Sequence, residues 1–321
     1  MSKLNINSRI TLNDGTQMPI IGLGTWRSEP QKVKEAVIVA IESGYRHIDC
    51  AALYGNEKEI GEALEEVIKR GVVKREELWI TSKIWNTHKR AANVRAAFEK
   101  TLSDLKLEYL DQYLIHWPIA FEFAGIELKD YACIVPREES GKIAKVDFVP
   151  FKETWGELEK LVEEGKIKSI GISNFSVTDT CNLYAENIKI KPAVNQIEAH
   201  PYFTNTRLMQ TMKSSQFKEI NTVAYCPLGR GGENAPISDP VVIEIAQKYS
   251  KSPAQVVIRW ALQRGSIIVP KSVTPERIKE NINVFDFELN EEDMNKISEL
   301  GKKRKRAVDP IGSWGISVFE D

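Results

Sequence analysis

Residues 44–55 read Gly-Tyr-Arg-His-Ile-Asp-Cys-Ala-Ala-Leu-Tyr-Gly, and they predict a strand that ends in a functional side chain. The strand-like run stops at Asp49, and Tyr54 follows five residues later beside a glycine. A strand that places a carboxylate at its C-terminal end, followed by a loop that presents a phenol, is typical of a site. The interpretation depends on how the other strands of the chain end.

Seven further segments have the character of strands, and helical patterns separate them. With the segment above, the eight predicted strands are 20–23, 45–49, 78–83, 109–116, 167–173, 193–198, 221–225 and 267–270. Strands that alternate with helices predict parallel pairing through crossovers. The count of eight and the length of 321 residues favour a closed α/β fold, the (β/α)8 TIM barrel, over a doubly wound sheet. Gly22-Leu23-Gly24 also lacks the third glycine of a dinucleotide-binding fingerprint.

Three features complete the predicted architecture. Asn13-Asp14-Gly15 lies between apolar runs and predicts an N-terminal β-hairpin. Residues 118–150 and 302–321 interrupt the alternation and are expected to form long loops at the C-terminal face of the barrel. Because no linker or low-complexity tract divides the chain, we expect residues 1–321 to form a single barrel domain.

Composition excludes several classes of protein. The net charge of -1 gives no general attraction to nucleic acid or anionic lipid. No apolar run approaches the roughly 20 residues of a membrane span. The four cysteines are scattered and form no metal-binding pair, so no metal site is expected. The N-terminal residues contain no apolar signal core, which leads us to expect a cytoplasmic protein without nucleic-acid or membrane partners.

Several predicted strands end in polar side chains. These residues are Asp49, Lys83, His116, Ser173, Asn174, Gln196, Tyr225 and Lys271. One polar strand end can simply mark the exit of the chain to solvent. In a (β/α)8 barrel, however, all these ends converge on the face that holds the active site. An Asp, a Lys, a His and a nearby Tyr on that face therefore indicate a catalytic group.

The four side chains make chemical sense together. A free tyrosine has a pKa of about 10, and a nearby ammonium lowers it. We expect Lys83 to supply that ammonium, Asp49 to hold Lys83 charged, and His116 to orient a carbonyl oxygen beside Tyr54. This arrangement is a general acid directed at a developing alkoxide, as reduction of a carbonyl requires.

A reductase needs a hydride donor, and the remaining strand ends suit one. Ser173, Asn174 and Gln196 can hydrogen-bond a carboxamide, and Tyr225 can stack on a ring. Residues 269–277 combine two cations, two hydroxyls and a helix N-terminus, which together suit a phosphate. An ordinary helix start with solvated Lys and Arg is the alternative for that segment.

Six ordered segments resemble the motifs of the aldo-keto reductases, most closely the aldose reductase and xylose reductase branch. They are 44–51, Tyr-Gly-Asn-Glu at 54–57, Ile-His-Trp-Pro at 115–118, Gly-Ile-Ser-Asn-Phe at 171–175, Pro-Ala-Val-Asn-Gln-Ile-Glu at 192–198, and 269–281. The resemblance extends over essentially the full length of the chain.

The resemblance implies a role for each matching residue. The catalytic tetrad would be Asp49, Tyr54, Lys83 and His116. The cofactor would contact Gly24, Thr25, Trp26, Ser173, Asn174, Gln196, Tyr225, Pro227, Leu228, Lys271, Ser272, Val273, Thr274, Arg277, Glu280 and Asn281. The substrate would contact Trp26, Trp85, His116 and Trp117, although plain core packing is the alternative for each Trp. The cations at the phosphate site favour NADPH, with NADH as a secondary cofactor.

The expected function is therefore NADPH-dependent reduction of aldehydes, including aldoses, by a monomer or weak homodimer. The alternatives are a xylose reductase specialised for aldopentoses, a redox-sensing binding subunit of the same fold, and a structural protein. Val308 stands where xylose reductases have an Asn that contacts sugar hydroxyls, which weakens the first alternative. The short, glycine-rich loop 228–238 and Cys226 depart from the resemblance, and the loop predicts a looser hold on the cofactor. The basic run 302–306 is expected to be a solvated helix end.

Overall fold

The computed structural model describes residues 4–319, so Met1–Lys3, Glu320 and Asp321, which the terminal predictions include, lie outside the described residues. The predicted hairpin is confirmed: β1 (Arg9–Thr11) pairs antiparallel with β2 (Gln17–Pro19). The Asn13 side chain in its turn donates hydrogen bonds to the backbone oxygens of Pro192 (2.8 Å) and Lys218 (2.9 Å). Because both acceptors precede barrel strands, the hairpin covers the N-terminal end of the barrel.

The eight predicted parallel strands are confirmed, in sequence order around one sheet. They are β3 (Leu23–Gly24), β4 (His47–Asp49), β5 (Trp79–Ile84), β6 (Leu110–Ile115), β7 (Ile167–Ser173), β8 (Val194–Glu198), β9 (Asn221–Tyr225) and β10 (Ile267–Ile268). The first and last strands also meet, since Gly22 N donates to Ile268 O (2.8 Å) and Gly24 N to Pro270 O (3.0 Å). These bonds close the sheet into the (β/α)8 barrel.

Twelve α-helices are described within residues 4–319. They are α1 (Pro30–Glu42), α2 (Glu57–Lys69), α3 (Ala91–Leu105), α4 (Tyr131–Ile134), α5 (Phe151–Glu163), α6 (Val177–Ala185), α7 (Thr206–Met212), α8 (Pro240–Tyr249), α9 (Pro253–Gln263), α10 (Pro275–Ile282), α11 (Glu291–Glu299) and α12 (Ile311–Trp314). None of the described helices is long and apolar enough to cross a membrane.

In three of these helices, α8, α9 and α10, a polar residue precedes the Pro at the first helical position, and in two of them the side chain of that residue caps the helix. The Asp239 side chain accepts a hydrogen bond from Val241 N, and Ser252 forms a capping box with Gln255. Thr274 precedes α10 but makes no capping bond with its side chain. Its own backbone N–H donates instead to Ser272 Oγ (3.1 Å), which ties the loop after β10 together.

The two long loops lie over the C-terminal face. Residues 118–150 contain α4 and contribute Phe121, Val135 and Ala144 to an apolar cluster that also includes Trp314 of the C-terminal tail. The basic run 302–306 is more than a solvated helix end, so that prediction was incomplete. Lys303 Nζ contacts Asp239 Oδ2 at 2.6 Å, which anchors the tail to the start of α8.

Candidate active site

Three of the four predicted catalytic residues form one hydrogen-bonded network, in which Asp49 and Lys83 are buried and Tyr54 is half-buried. Lys83, at the end of β5, is fully buried (0% exposed). Its Nζ donates to both carboxylate oxygens of Asp49 (2.9 and 2.8 Å), to Cys50 O (2.7 Å) and to Tyr54 Oη (3.3 Å). In the parallel pairing of β4 with β5, Asp49 lies opposite Thr81, two residues before Lys83, so the long Lys83 side chain and the carboxylate come from neighbouring strands. The loop after β4 places the Tyr54 hydroxyl beside the Lys83 ammonium.

The expected direction of the Tyr54 pKa is wrong for the free protein. Burial raises the pKa of the Tyr54 phenol well above its ordinary value, and the Asp49 carboxylate adds to the rise. The positive charge of Lys83 cannot reverse this shift because the Asp49 carboxylate already neutralises it at hydrogen-bond distance. Tyr54 therefore holds its proton firmly.

His116 follows β6 and completes the group. Its ring centroid lies 5.9 Å from that of Tyr54 and 5.3 Å from that of Trp85. Burial lowers the pKa of His116 well below its ordinary value, and the positive charge of Lys83 lowers it further. The imidazole is therefore neutral at physiological pH and suits a hydrogen bond to a neutral carbonyl group.

The polar ends of β7, β8 and β9 are linked to one another and to the tetrad. Tyr225 Oη donates to Asn174 Oδ1 (2.7 Å), and Asn174 Nδ2 donates to His116 O (2.9 Å). Ser173 Oγ donates to the backbone oxygen of Gln196 (2.8 Å), while Gln196 Nε2 donates to Asp49 Oδ1 (2.8 Å). The predicted carboxamide-binding residues thus already form a fixed polar wall.

These side chains line one cavity of about 460 Å³. Its walls include Gly24, Thr25, Trp26, Trp85, Trp117 and Lys271 of the predicted site, and also Leu53, Arg27, Arg230, Val308 and Trp314. Trp314 is a wall residue that the sequence did not assign. It is buried, and its ring centroid lies 4.9 Å from that of Trp117 and 5.9 Å from that of Trp85. An aromatic residue in the tail beyond the last long helix was the available signal.

The predicted phosphate-binding residues lie mostly outside this cavity. Lys271 lines it, whereas Ser272, Val273, Thr274, Arg277, Glu280 and Asn281 lie on the loop after β10 and on α10, and Pro227 and Leu228 follow β9. Arg277 is exposed and makes no ion pair within the described part of the chain. An exposed guanidinium close to the start of a helix suits the binding of a phosphate group.

Cations also gather where the cavity opens beside β3. The guanidinium carbons of Arg27 and Arg230 each lie 4.6 Å from the centroid of a Trp26 ring. Burial lowers the pKa of Lys271 in the same cavity, although Glu29 opposes the shift. Like charges around one cavity suit an anionic ligand, so these residues fit the phosphates of a dinucleotide. No group of His, Cys, Asp and Glu side chains within residues 4–319 has the arrangement of a metal site.

Comparisons with known proteins agree with this geometry. The Aldo/keto reductase family pattern matches residues 20–302. The chain is 44% identical over 324 residues to aldo-keto reductase family 1 member A1-A of Danio rerio, covering 98% of this chain and 96% of that protein. It is 45% identical over 322 residues to aldo-keto reductase family 1 member A1 of Homo sapiens, covering 98% and 95%.

Two solved structures are similar to this chain over nearly its full length. The aldose reductase from Schistosoma japonicum superimposes with a TM-score of 0.87 at 44% identity, covering 96% of each chain. The Bombyx mori aldo-keto reductase in complex with NADP superimposes with a TM-score of 0.82 at 36% identity, covering 94% of this chain and 95% of that one. The chain belongs to the aldo/keto reductase family.

Proposed function

We propose that this protein is an oxidoreductase that reduces aldehydes and related carbonyl compounds to alcohols with NADPH. The observation that carries the proposal is the hydrogen-bonded chain from the buried Asp49 and Lys83 to Tyr54, with the His116 ring beside it. The relatives named above support the same chemistry, since they are aldo-keto reductases and one neighbour holds NADP.

In the proposed reaction, side chains of the protein supply the proton and stabilise the charge that its transfer leaves behind. Tyr54 donates its phenolic proton to the carbonyl oxygen as negative charge develops there. Lys83, held by Asp49, then stabilises the phenolate through its hydrogen bond to Tyr54 Oη. His116, as a neutral imidazole, donates a second hydrogen bond that positions the same oxygen.

Reduction also adds a hydride to the carbonyl carbon, and bound NADPH would supply it. Ser173, Asn174 and Gln196 would hold its carboxamide, and the Tyr225 ring would pack against its nicotinamide. Lys271, Ser272, Thr274 and Arg277 would hold its phosphate groups, with Glu280 and Asn281 close to the adenine. These residues also allow NADH as a weaker alternative.

The substrate pocket favours apolar carbonyl compounds over aldopentoses. Its apolar wall includes Trp85, Trp117 and Trp314, with Val308 among the other lining residues. Val308 offers no hydrogen bond to a sugar hydroxyl, and an unpaired buried hydroxyl costs about 1–3 kcal/mol. We therefore propose an aldehyde reductase rather than a dedicated xylose reductase. We further propose a single barrel domain, a monomer or weak homodimer in solution, and a cytoplasmic location.

The test is NADPH oxidation with benzaldehyde, glyceraldehyde and xylose. We expect steady turnover with the first two. Tyr54→Phe should lower kcat by about 10²–10⁴-fold, the usual contribution of a general acid, and leave the Kd for NADPH unchanged. Tyr249→Phe, which removes a hydroxyl that bonds Asp293 far from the cavity, is the matched control. Binding of NADPH without turnover would favour a redox-sensing subunit instead.

A further inference from the structure

A second cavity, of about 810 Å³, lies beside the candidate active site. The turns after β7 and β8, the start of α7, the segment after α11, and Val318 and Phe319 of the tail form its walls. Asn174 lines both cavities. None of the functions assigned above uses this space.

Positive charge dominates the walls. The cationic lining residues are Arg207, Lys302, Arg304 and Arg306. The acidic ones are Asp179 and Glu198, and both carboxylates are already engaged. Asp179 accepts hydrogen bonds from the backbone N–H (2.9 Å) and Oγ (2.7 Å) of Ser176. Glu198 accepts from Val308 N (2.8 Å) and from His200 Nε2 (2.8 Å).

Two of the cations have no partner of their own. Within residues 4–319, neither Arg207 nor Arg304 makes a side-chain hydrogen bond or an ion pair, whereas Lys302 pairs with the exposed Glu299. Guanidinium groups present several donors in a fixed plane, and they match the oxygens of a phosphate group. Both arginines line the same cavity, so an anion bound there is attracted by both charges.

The cavity shares a wall with the active site. The Arg306 guanidinium carbon lies 4.2 Å from the centroid of the Phe203 ring and 3.7 Å from that of Phe319. The Phe319 ring centroid in turn lies 5.7 Å from that of Trp117, which lines the active-site cavity. Val308, two residues after Arg306, also lines that cavity. A ligand that moves this segment therefore changes the substrate pocket.

We propose that the second cavity binds a phosphate-type dianion, as inorganic phosphate or a phosphate monoester, through Arg207 and Arg304. Its occupancy alters the affinity of the neighbouring pocket for bulky carbonyl substrates through Phe319 and Trp117. The binding step stands independently of the proposed function, and only the effect on substrate affinity rests on it.

The binding test is calorimetric titration of the NADP+-saturated protein with inorganic phosphate, then with glycerol 2-phosphate and acetate. Saturation with NADP+ fills the proposed phosphate site at Lys271 and Arg277. We expect both phosphates to bind and acetate to bind much more weakly. Arg207→Ala/Arg304→Ala should weaken phosphate binding by about tenfold or more, because it removes two charge-assisted contacts. If inorganic phosphate binds and glycerol 2-phosphate does not, the ligand is the free ion, and the proposal that the site binds a phosphate monoester is wrong.

Arg70→Ala/Lys218→Ala, which removes two surface cations outside the cavity, is the matched control. Equal phosphate affinity in the two double variants, or no phosphate binding by the unmodified protein, would overturn the proposal. If NADP+ itself fails to bind, the proposed function is wrong, but the titration still shows whether the second cavity binds phosphate. Arg277→Ala then reports any binding at the other phosphate site.

The coupling is tested separately by kinetics. Phosphate should change the KM for a bulky aromatic aldehyde at least about twofold in the unmodified protein and leave it unchanged in Arg207→Ala/Arg304→Ala. The KM for glyceraldehyde should respond less, since a small substrate contacts less of the aromatic wall. Phosphate that binds with no effect on either KM would overturn the coupling.

Discussion

At the scale of single residues, the pKa of Tyr54 differs most from the value that the neighbouring Lys83 suggested. Lys83 lies 3.3 Å from its hydroxyl, yet burial still raises the pKa of the phenol. The reason is that the ammonium and the Asp49 carboxylate form a neutral pair. Lys83 therefore contributes after proton transfer, by stabilising the phenolate, rather than before it.

This arrangement predicts the pH dependence of the reduction. A general acid must be protonated to act, and a raised pKa keeps Tyr54 protonated throughout the neutral range. We expect kcat for aldehyde reduction to be independent of pH from about 6 to 9 and to fall only above about pH 10. Steady-state rates at saturating NADPH and aldehyde check this. A decline with an apparent pKa near 8 would contradict it.

A second buried acid has a consequence for stability. Glu57, on α2, accepts hydrogen bonds from Ser82 Oγ (2.6 Å) and Thr101 Oγ1 (3.2 Å). Burial raises the pKa of its carboxyl from 4.5 to about 7, against the effect of these two hydroxyls. The folded state thus retains a proton that the unfolded state releases between pH 4.5 and 7. Stability should fall as the pH rises through that interval.

Glu57→Gln should remove this loss, because the amide does not ionise. Its oxygen accepts from one of the two hydroxyls, and its nitrogen donates to the other, which turns from donor to acceptor. We expect the stability of the variant relative to the unmodified protein to increase by about 3 kcal/mol between pH 4.5 and 8, since one pKa unit corresponds to about 1.4 kcal/mol. Urea unfolding at both pH values measures the difference. Glu62→Gln, at an exposed position of the same helix, should show no such increase.

At the scale of elements, the structure adds most to the description of the loop after β9, which the sequence described only as short and glycine-rich. Gly229, Arg230, Gly231 and Gly232 all have positive φ, with values of 67°, 64°, 76° and 91°. This turn carries Arg230 towards Trp26 at the opening of the active-site cavity. The short loop thus has a contact across the cavity, although the contact is a single exposed cation on an aromatic ring.

We expect Arg230→Ala to weaken NADPH binding by about tenfold and to speed its release, because one charge-assisted contact to the coenzyme phosphates is lost. Arg70→Ala, on the outer surface, should leave both quantities unchanged. Stopped-flow coenzyme fluorescence measures them. A slow isomerisation on binding and slow release of NADP+ in the unmodified protein would contradict the looser hold predicted for this loop.

At the scale of the whole molecule, closure of the barrel depends on close contact between its first and last strands. A Cβ atom on Gly24 would lie 2.8 Å from the backbone oxygen of Val269. Backbone cannot move aside without disturbing the bonds that join β3 to β10. Gly24 is therefore required by the packing of the barrel as well as by its place in the cavity wall.

Gly24→Ala should destabilise the protein by about 1–3 kcal/mol, the usual cost of overpacking. Gly156→Ala is the matched control. A Cβ atom at Gly156, within α5, meets no atom within 4 Å. That change should stabilise the helix by about 0.5–1 kcal/mol. Urea unfolding of both variants compares them, and equal stability would contradict the role of Gly24 in closure.

The sequence alone determined the hairpin, the eight strands, the barrel and the strand ends that form the candidate site. These features depend on local patterns: apolar periodicity, turn residues, and polar residues at regular positions. In a closed parallel barrel, every strand end meets on one face. Residues as distant in sequence as Asp49 and Gln196 therefore come together once the strands are known.

Only the tertiary structure decided how distant segments pack on that face. It brought Trp314 against Trp85 and Arg230 over Trp26, and it anchored Lys303 to Asp239. It also reversed the expected direction of the Tyr54 pKa. Each of these results depends on burial and on contacts between loops far apart in sequence, and no local pattern specifies either of them.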